Sequence, residues 1–419
     1  MKFRVRLLAL LTLVLFVAMG VFYFRYWAIP RTQGVIVFVA DGLSVSQLSA
    51  ARMFRGGSDS SLQMEELTYL GLLRNGSDDY AVPDVAAAVS ALATGNRVPN
   101  YWLSTTRAGR QLRTLVDQAY RKGRTVGLVT NMRVTDGGVA PFFANSERIR
   151  DFQSISLQLV NHAGVSLAFG GGRSDFLPEF KGGKRSDGRD LLVEFERQGQ
   201  RVLRARSELE ALASLGGDRV IGLFSDGPTS FREDLARAMN EPTLTDMTRK
   251  ALEVLQQDGR PYLLIVHSGL IGLAAELNEP EKTIRETVEF DRAVGVARGM
   301  AERNSLVVVC GLRSVGGMSL NGYPFREESG AAIFGINSYG IPSIAWASGP
   351  RGPYGTETGT DQRPSTTNTL SSMSPAAAFS SRAVGTVEDV LVLADGPGAS
   401  AIQSFLHLTD LHKIIAGQL

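Results

Sequence analysis

Short, uninterrupted apolar runs, each ending in a polar loop, constrain this chain more than any other feature. Val35-Ile36-Val37-Phe38-Val39-Ala40 runs straight into Asp41-Gly42. A strand that is apolar on both faces must be covered on both faces. Parallel strands sandwiched between helices meet that need. The same pattern returns at Thr125–Thr130, at Val165–Phe169 before Gly170-Gly171-Gly172, and at Val220–Phe224. It returns again at Tyr262–Val266, Leu306–Val309 and Val390–Leu393. Between these runs lie segments of helical period: Ser46–Phe54, Gln111–Arg121, Thr245–Gln257 and Glu281–Glu302. In the third, Leu244, Met247, Ala251 and Leu255 share one face. The expected fold is α/β, a doubly wound parallel sheet flanked by helices. Ligands of such sheets collect at the C-terminal strand ends, so the residues just after each strand are the ones to inspect.

The first 32 residues follow another logic. Lys2, Arg4 and Arg6 precede Leu7 to Phe24, 18 residues without a charge. As a helix this stretch spans about 27 Å, just enough for a bilayer core. Tyr23, Tyr26 and Trp27 form an interfacial aromatic cluster, with Arg25 and Arg31 beyond. One N-terminal transmembrane helix is therefore expected, contacting the membrane through residues 7–24; a cleaved signal peptide is the alternative. Residues 1–32 read as anchor and linker, and 33–419 as the α/β domain. The expected location is the cell membrane, single-pass, with the domain extracytoplasmic.

Within that domain, residues 314–381 break the strand-helix rhythm with Gly, Ser, Thr, Pro and Tyr, and Pro364 to Ser381 is close to low complexity. This reads as an excursion from the sheet. A net charge of +2 without a basic, aromatic-interleaved block removes nucleic acid as an expected partner. Cys310 is the only cysteine, so no intrachain disulfide can form. It follows an apolar run and reads as a buried strand residue.

Residues 84–95 read as a small-faced helix. Asp84 is a good N-cap, five alanines follow, and Gly95 is a natural stop. Its N-terminal N–H groups would suit an anion. An ordinary buried alanine-rich helix is the plainer reading of the same residues.

Other segments narrow the choice. They are Val39-Ala40-Asp41-Gly42, Gly170-Gly171-Gly172-Arg173, Asn240-Glu241-Pro242-Thr243-Leu244, Phe290-Asp291 with Ala293-Val294, Gly396-Pro397-Gly398-Ala399, and Lys413-Ile414-Ile415-Ala416. Together with the helix after Asp84, and in this order, they resemble landmarks of the alkaline phosphatase family over most of residues 34–419. That resemblance implies the family's α/β fold and a homodimer as the assembly. It also implies a chemistry needing a serine nucleophile, two zinc ions and a magnesium ion.

The chemistry-bearing positions depart from the family's pattern. Val85 stands at the nucleophile position, beside a retained Asp84. Asp41 matches a metal ligand. In Thr135-Asp136-Gly137-Gly138-Val139, Gly138 replaces a magnesium-ligating threonine. His267 replaces a magnesium carboxylate, Gly272 a zinc aspartate and Glu276 a zinc histidine. Leu312 and Arg313 stand for an aspartate and a histidine, and Gly385 for the last zinc histidine. Arg148 or Arg150 would be the substrate-clamping arginine. Asp41, Asp136, His267 and Glu276 remain as candidates for a Mg2+ or Ca2+ site, against a reading as solvated loop residues and a structural histidine. Arg313 is expected to neutralise Asp41 or Asp84 in place of the lost metal charge.

The expectation is a degenerate, membrane-tethered member of that family, a non-catalytic pseudophosphatase with a binding or scaffolding role. No catalytic residue and no cofactor is assigned, and the partner is an unknown protein or phosphorylated ligand. The competing expectation is an active phosphomonoesterase, or related phosphoryl hydrolase, using zinc and magnesium in a rebuilt site.

Overall fold

The computed structural model describes residues 2–23, 32–234, 238–321, 325–326, 330–337, 340–352 and 374–419. The strands, in chain order, begin with β1 (Gly34–Asp41), β2 (Tyr69–Arg74), β3 (Thr125–Arg133), β4 (Leu167–Gly171), β5 (Arg201–Leu203), β6 (Val220–Leu223), β7 (Tyr262–Ser268) and β8 (Leu306–Val315). Short strands β9 (Ser319–Leu320), β10 (Phe325–Arg326), β11 (Ala332–Ile333), β12 (Ile344–Gly349) and β13 (Ala376–Phe379) follow. The chain ends with β14 (Gly385–Thr386), β15 (Val390–Asp395) and β16 (Ser404–His407). Among the described residues one large sheet runs in the order β16-β2-β15-β8-β1-β7-β3-β4-β6-β5, with β14 alongside β8.

β1 lies at the centre, parallel to β7 on one side and β8 on the other. Its apolar run is unbroken because the two faces serve different cores. Val35, Val37 and Val39 join the core under the helices Val85–Thr94, Leu115–Arg121 and Leu408–Gln418. Ile36, Phe38 and Ala40 join the core under Leu244–Gln257 and Pro280–Met300. Each such fully buried side chain stabilises the fold by about 1.5–3 kcal/mol relative to exposure. The helix Val85–Thr94 is capped as its sequence suggests. Asp84 accepts from the Ala87 N–H at 2.9 Å, and Gly95 takes a left-handed conformation, φ 71°. Its small side chains allow close neighbours: a Cβ on Gly95 would come within 2.8 Å of the His412 ring.

The structure differs from the expected all-parallel sheet at one edge. β15 runs antiparallel to both β8 and β2, so the sheet is mixed. Among the described residues no helix lies between β8 and β15, and the chain returns beside β8 through β14, itself antiparallel to β8. A parallel return would need a crossover connection. β16 is the edge strand on this side, and both it and its neighbour β2 have a face partly open to solvent. The helix expected from Gln111 starts at Leu115, where Thr114 and Asp117 form a capping box. The expected excursion from 314 starts later, since Ser314 and Val315 belong to β8. Its described parts form a small sheet, β13-β12-β9, and the hairpin β10-β11. Val315, Ile344, Trp346 and Ala376 pack there against Ala50, Ala275 and Ile284. Most of the Ser/Thr-rich stretch from Pro364 lies outside the described residues.

At the N-terminus, Lys2–Tyr23 is helical. Among the described residues no helix is long and apolar enough to cross a membrane. Residues 24–31 lie outside the description. The expectation of a transmembrane span over 7–24 thus has no support from this fold.

One buried cation closes the N-terminal edge of the sheet. Arg124 donates to the carbonyls of Thr32 (2.9 Å), Gln33 (3.1 Å), Gln418 (2.8 Å) and Leu419 (2.9 Å). Replacing Arg124 by Met would leave these acceptors short of donors. The expected loss is about 3 kcal/mol of unfolding free energy in a urea titration. An unchanged midpoint would show that the clasp contributes nothing.

Candidate functional site

Strand ends of parallel sheets bring polar residues together, and here β1, β3, β7 and β8 end side by side. Asp41 closes β1 and Arg313 lies near the end of β8, paired in register with it. Arg313 Nε donates to Asp41 Oδ1 at 2.8 Å, and Nη2 to Oδ2 at 3.0 Å. The same Nη2 reaches Glu276 Oε1 at 3.3 Å. Glu276 in turn accepts from Arg382 Nη1 at 3.1 Å. The pair is enclosed: the Asp41 and Arg313 side chains are 9% and 13% exposed. Burial works against the charge on Arg313. The charge and hydrogen bonds of Asp41, then the charges of Glu276 and Asp84, outweigh it and hold the guanidinium above its ordinary pKa.

Two glycines make room for this arrangement. Gly272, in the helix Leu270–Glu276, faces Asp41 so closely that a Cβ there would come within 2.7 Å of Oδ2. Gly385, on β14, lies beside the guanidinium, and its Cβ would stand 3.5 Å from Arg313 Nη1 and 3.0 Å from Val82 Cγ1. Leu312 contributes nothing polar. Its side chain is fully buried in the same core as Val35 and Leu92.

A second group lies one strand further on. His267, at the end of β7, is fully buried and shares a 2.9 Å hydrogen bond between Nδ1 and Thr130 Oγ1. Its Nε2 has no partner. Burial pushes its pKa down to about 4, so the ring is neutral. The ring occupies the space over Gly138, where a Cβ would come within 2.1 Å of it. Asp136 accepts from the Gly138 N–H at 2.9 Å. Desolvation pushes this carboxyl up to about 6 against that hydrogen bond, and Asp41 and Glu276 add to the rise.

The helix Val85–Thr94 presents its N-terminus at the same edge. Asp84 is buried, and desolvation raises its pKa against the Ala87 N–H and the charge of Arg313. Asn100 Oδ1 accepts from the Asp84 N–H at 2.9 Å. Val85 is half-buried against the core. Arg148 and Arg150 are both exposed, and Ile149 between them turns inward. Its Cδ1 would meet a Cβ on Gly137 at 2.6 Å, where Ala86 also packs. The sequence singled out neither Ile149 nor Arg382 as a site residue, because loop paths set their positions; Thr130 reads only as the end of a strand, and it lies opposite His267 in the sheet register.

This geometry identifies a framework. The family model for alkaline phosphatase matches residues 32–419. The chain belongs to the alkaline phosphatase family. It is 30% identical over 374 residues to the membrane-bound alkaline phosphatase of Bombyx mori, covering 77% of this chain and 68% of that one. To alkaline phosphatase 4 of Bacillus subtilis it is 26% identical over 301 residues, 69% of this chain and 62% of that one. The chain therefore spans less than two thirds of the Bacillus subtilis relative's length. Among solved structures, the alkaline phosphatase of Thermus thermophilus matches with a TM-score of 0.74 at 22% identity, covering 93% of this chain and 91% of that one. That of the Antarctic bacterium TAB5 matches with a TM-score of 0.71 at 17% identity, covering 93% and 98%.

Zinc and magnesium, which the family implies, were tested against these residues. A cation held by Asp41 and Glu276 would have to occupy the space between their carboxylates, and the guanidinium of Arg313 fills it. The neighbouring positions are Gly272, Gly385 and the apolar Leu312, none of which brings a ligand atom on its side chain. Among the described residues no group of three His, Cys, Asp or Glu side chains is placed to hold a metal ion. The residues present do not fit the ions.

The raised Asp136 carboxyl gives a pH prediction. Its folded pKa, about 6, lies above the ordinary value of 3.8 for a free aspartate. The protein should lose stability as pH rises through that window, because only the unfolded chain releases the proton there. Asp136→Asn keeps an acceptor for Gly138 and cannot ionise. Its melting temperature relative to the parent should climb between these two pKa values and level off above them. A difference independent of pH would contradict the assignment.

Proposed function

We propose that this chain is a non-catalytic member of the alkaline phosphatase family, a pseudophosphatase that binds or scaffolds. Its former reaction site serves as an internal ion-pair core. The observation that carries the reading is the placement of Arg313, forked onto Asp41 and reaching Glu276. A fixed guanidinium supplies in covalent form the positive charge that buried carboxylates require. Val85, at the first position of the helix after Asp84, has no nucleophilic atom. The protein is further read as membrane-tethered, with the domain extracytoplasmic. Supporting the tether, Leu10, Leu11, Leu13, Val14, Leu15, Phe16, Val17 and Met19 are each more than half exposed along the N-terminal helix. The name of the Bombyx mori relative carries the same association. A homodimer, and a protein or phosphorylated ligand as partner, complete the proposal.

The test is zinc content together with turnover of a generic phosphomonoester, both on the full chain purified in detergent with Zn2+ and Mg2+ supplied. The expected result is no stoichiometric zinc, no turnover above a blank, and a melting temperature indifferent to chelator. Bound zinc, or turnover abolished by Asp41→Ala, would establish instead an active hydrolase with a rebuilt site.

The ion pair itself makes a stability prediction. Arg313→Met leaves Asp41 buried without its partner and should cost about 3–5 kcal/mol. The double variant Arg313→Met with Asp41→Leu removes both charges and should recover most of that loss. Equal destabilisation of single and double variants in denaturant titrations would mean that charge pairing is not what holds this site.

A further inference from the structure

We infer that the N-terminal edge of the sheet is a membrane-docking face for an anionic lipid surface, and that the C-terminal strand ends around Asp41 and Arg313 face away from the bilayer. This rests on the tether reading above and adds to it an orientation and a lipid chemistry.

The starting point is where the chain leaves the domain. Thr32 and Gln33 are clasped by Arg124 at the N-terminal edge. Gln33 is further bonded on both sides, donating to Asn304 O and accepting from the Tyr262 N–H, each at 2.9 Å. The eight residues from 24 to 31 can span at most about 28 Å. The apolar helix Lys2–Tyr23 is therefore held close beneath this edge. β1 starts here, and its eight residues rise about 25 Å to Asp41. The Asp41–Arg313 pair is at the opposite pole.

The loops around Gln33 carry the matching chemistry. Tyr120 is 52% exposed, and Arg121 and Lys122 follow it on the surface. They lie beside the clasp: Lys122 Nζ donates to Ala416 O at 3.4 Å, two residues before Gln418, which Arg124 holds. Arg303 is exposed in the loop that bonds Gln33. Arg260, also near, is paired with Asp258, and the exposed acids beside Arg303 are Glu302 and Asp395. Arg121, Lys122 and Arg303 outnumber these two acids, with the aromatic Tyr120 among them. Such a combination suits a phosphate-bearing interface: the cations meet lipid phosphates, and tyrosine sits at headgroup depth.

The test uses the full chain in lipid nanodiscs that carry an energy acceptor on their headgroups. Donor labels are placed at Tyr120→Cys or at Tyr80→Cys. Tyr80 is exposed in the loop after β2, at the same edge as the Asp41–Arg313 pair. The native Cys310 is fully buried, with its thiol pushed up to about 12, and stays unlabelled. Strong transfer is expected from position 120 and little from position 80. Transfer from 120 should be greater in anionic than in neutral discs, and Arg121→Glu with Lys122→Glu should abolish that lipid dependence. Equal transfer from both positions, or an order reversed, would overturn the orientation. Transfer from 120 that is the same in neutral and anionic discs would overturn the lipid recognition. A chain that never enters the discs would fail the tether reading itself, and this inference with it.

Discussion

The ion pair between Arg313 and Asp41 organises the C-terminal edge of this sheet. A carboxylate at the end of a central parallel strand is enclosed by neighbouring strands and the helices over them, and without a cation it would be expensive to keep charged. Metal ions are one way to supply the cation. An arginine from the adjacent strand is another, and its planar fork matches both carboxylate oxygens at once. Gly272 leaves Asp41 the room the fork needs, since a Cβ there would come within 2.7 Å of Oδ2. The ion pair and that glycine therefore act as one unit. The same exchange of volume recurs at Gly138, where the His267 ring takes the space a side chain would fill. Arg382, on Glu276, extends the charge balance to the surface.

Much of this was legible in the residues. Val35 to Ala40 had to be a central strand because its apolar run serves two cores. Asp84 and Gly95 bounded a helix whose caps the structure contains. The charge logic also pointed from Arg313 towards Asp41 or Asp84, since a buried carboxylate needs a partner, and the structure pairs it with Asp41. Strand direction was not legible. Val390–Leu393 reads as a buried strand whichever way it runs, and only its return beside β8 makes it antiparallel. The strands β2 and β16 were missed because Gly71 interrupts the first and the second has only four residues, two of them polar. Contacts made by loops were missed for a different reason. Ile149 and Arg382 reach the site through tertiary paths that leave no spacing to read, whereas Thr130 lies on a strand that was legible and only its pairing with His267 was not.

The helix after Asp84 answers to two separable constraints, packing along its length and charge at its first turn. A helix N-terminus normally attracts an anion because its first N–H groups lack partners. Here Asp84 supplies an acceptor to Ala87, and its carboxylate already places negative charge at the positive end of the helix dipole. Val85 and Ile149 both pack against the core beside it, so the approach to the helix end is apolar. A phosphate brought to that spot would give up its hydration for two aliphatic side chains and a nearby carboxylate, while Arg148 and Arg150 stay outside in solvent. The helix keeps its small face because His412, at its C-terminal end, and the sheet beneath still demand close packing. The packing constraint acts on the length of the helix and the anion constraint on its first turn alone. The second can therefore lapse while the first continues to hold the alanines in place.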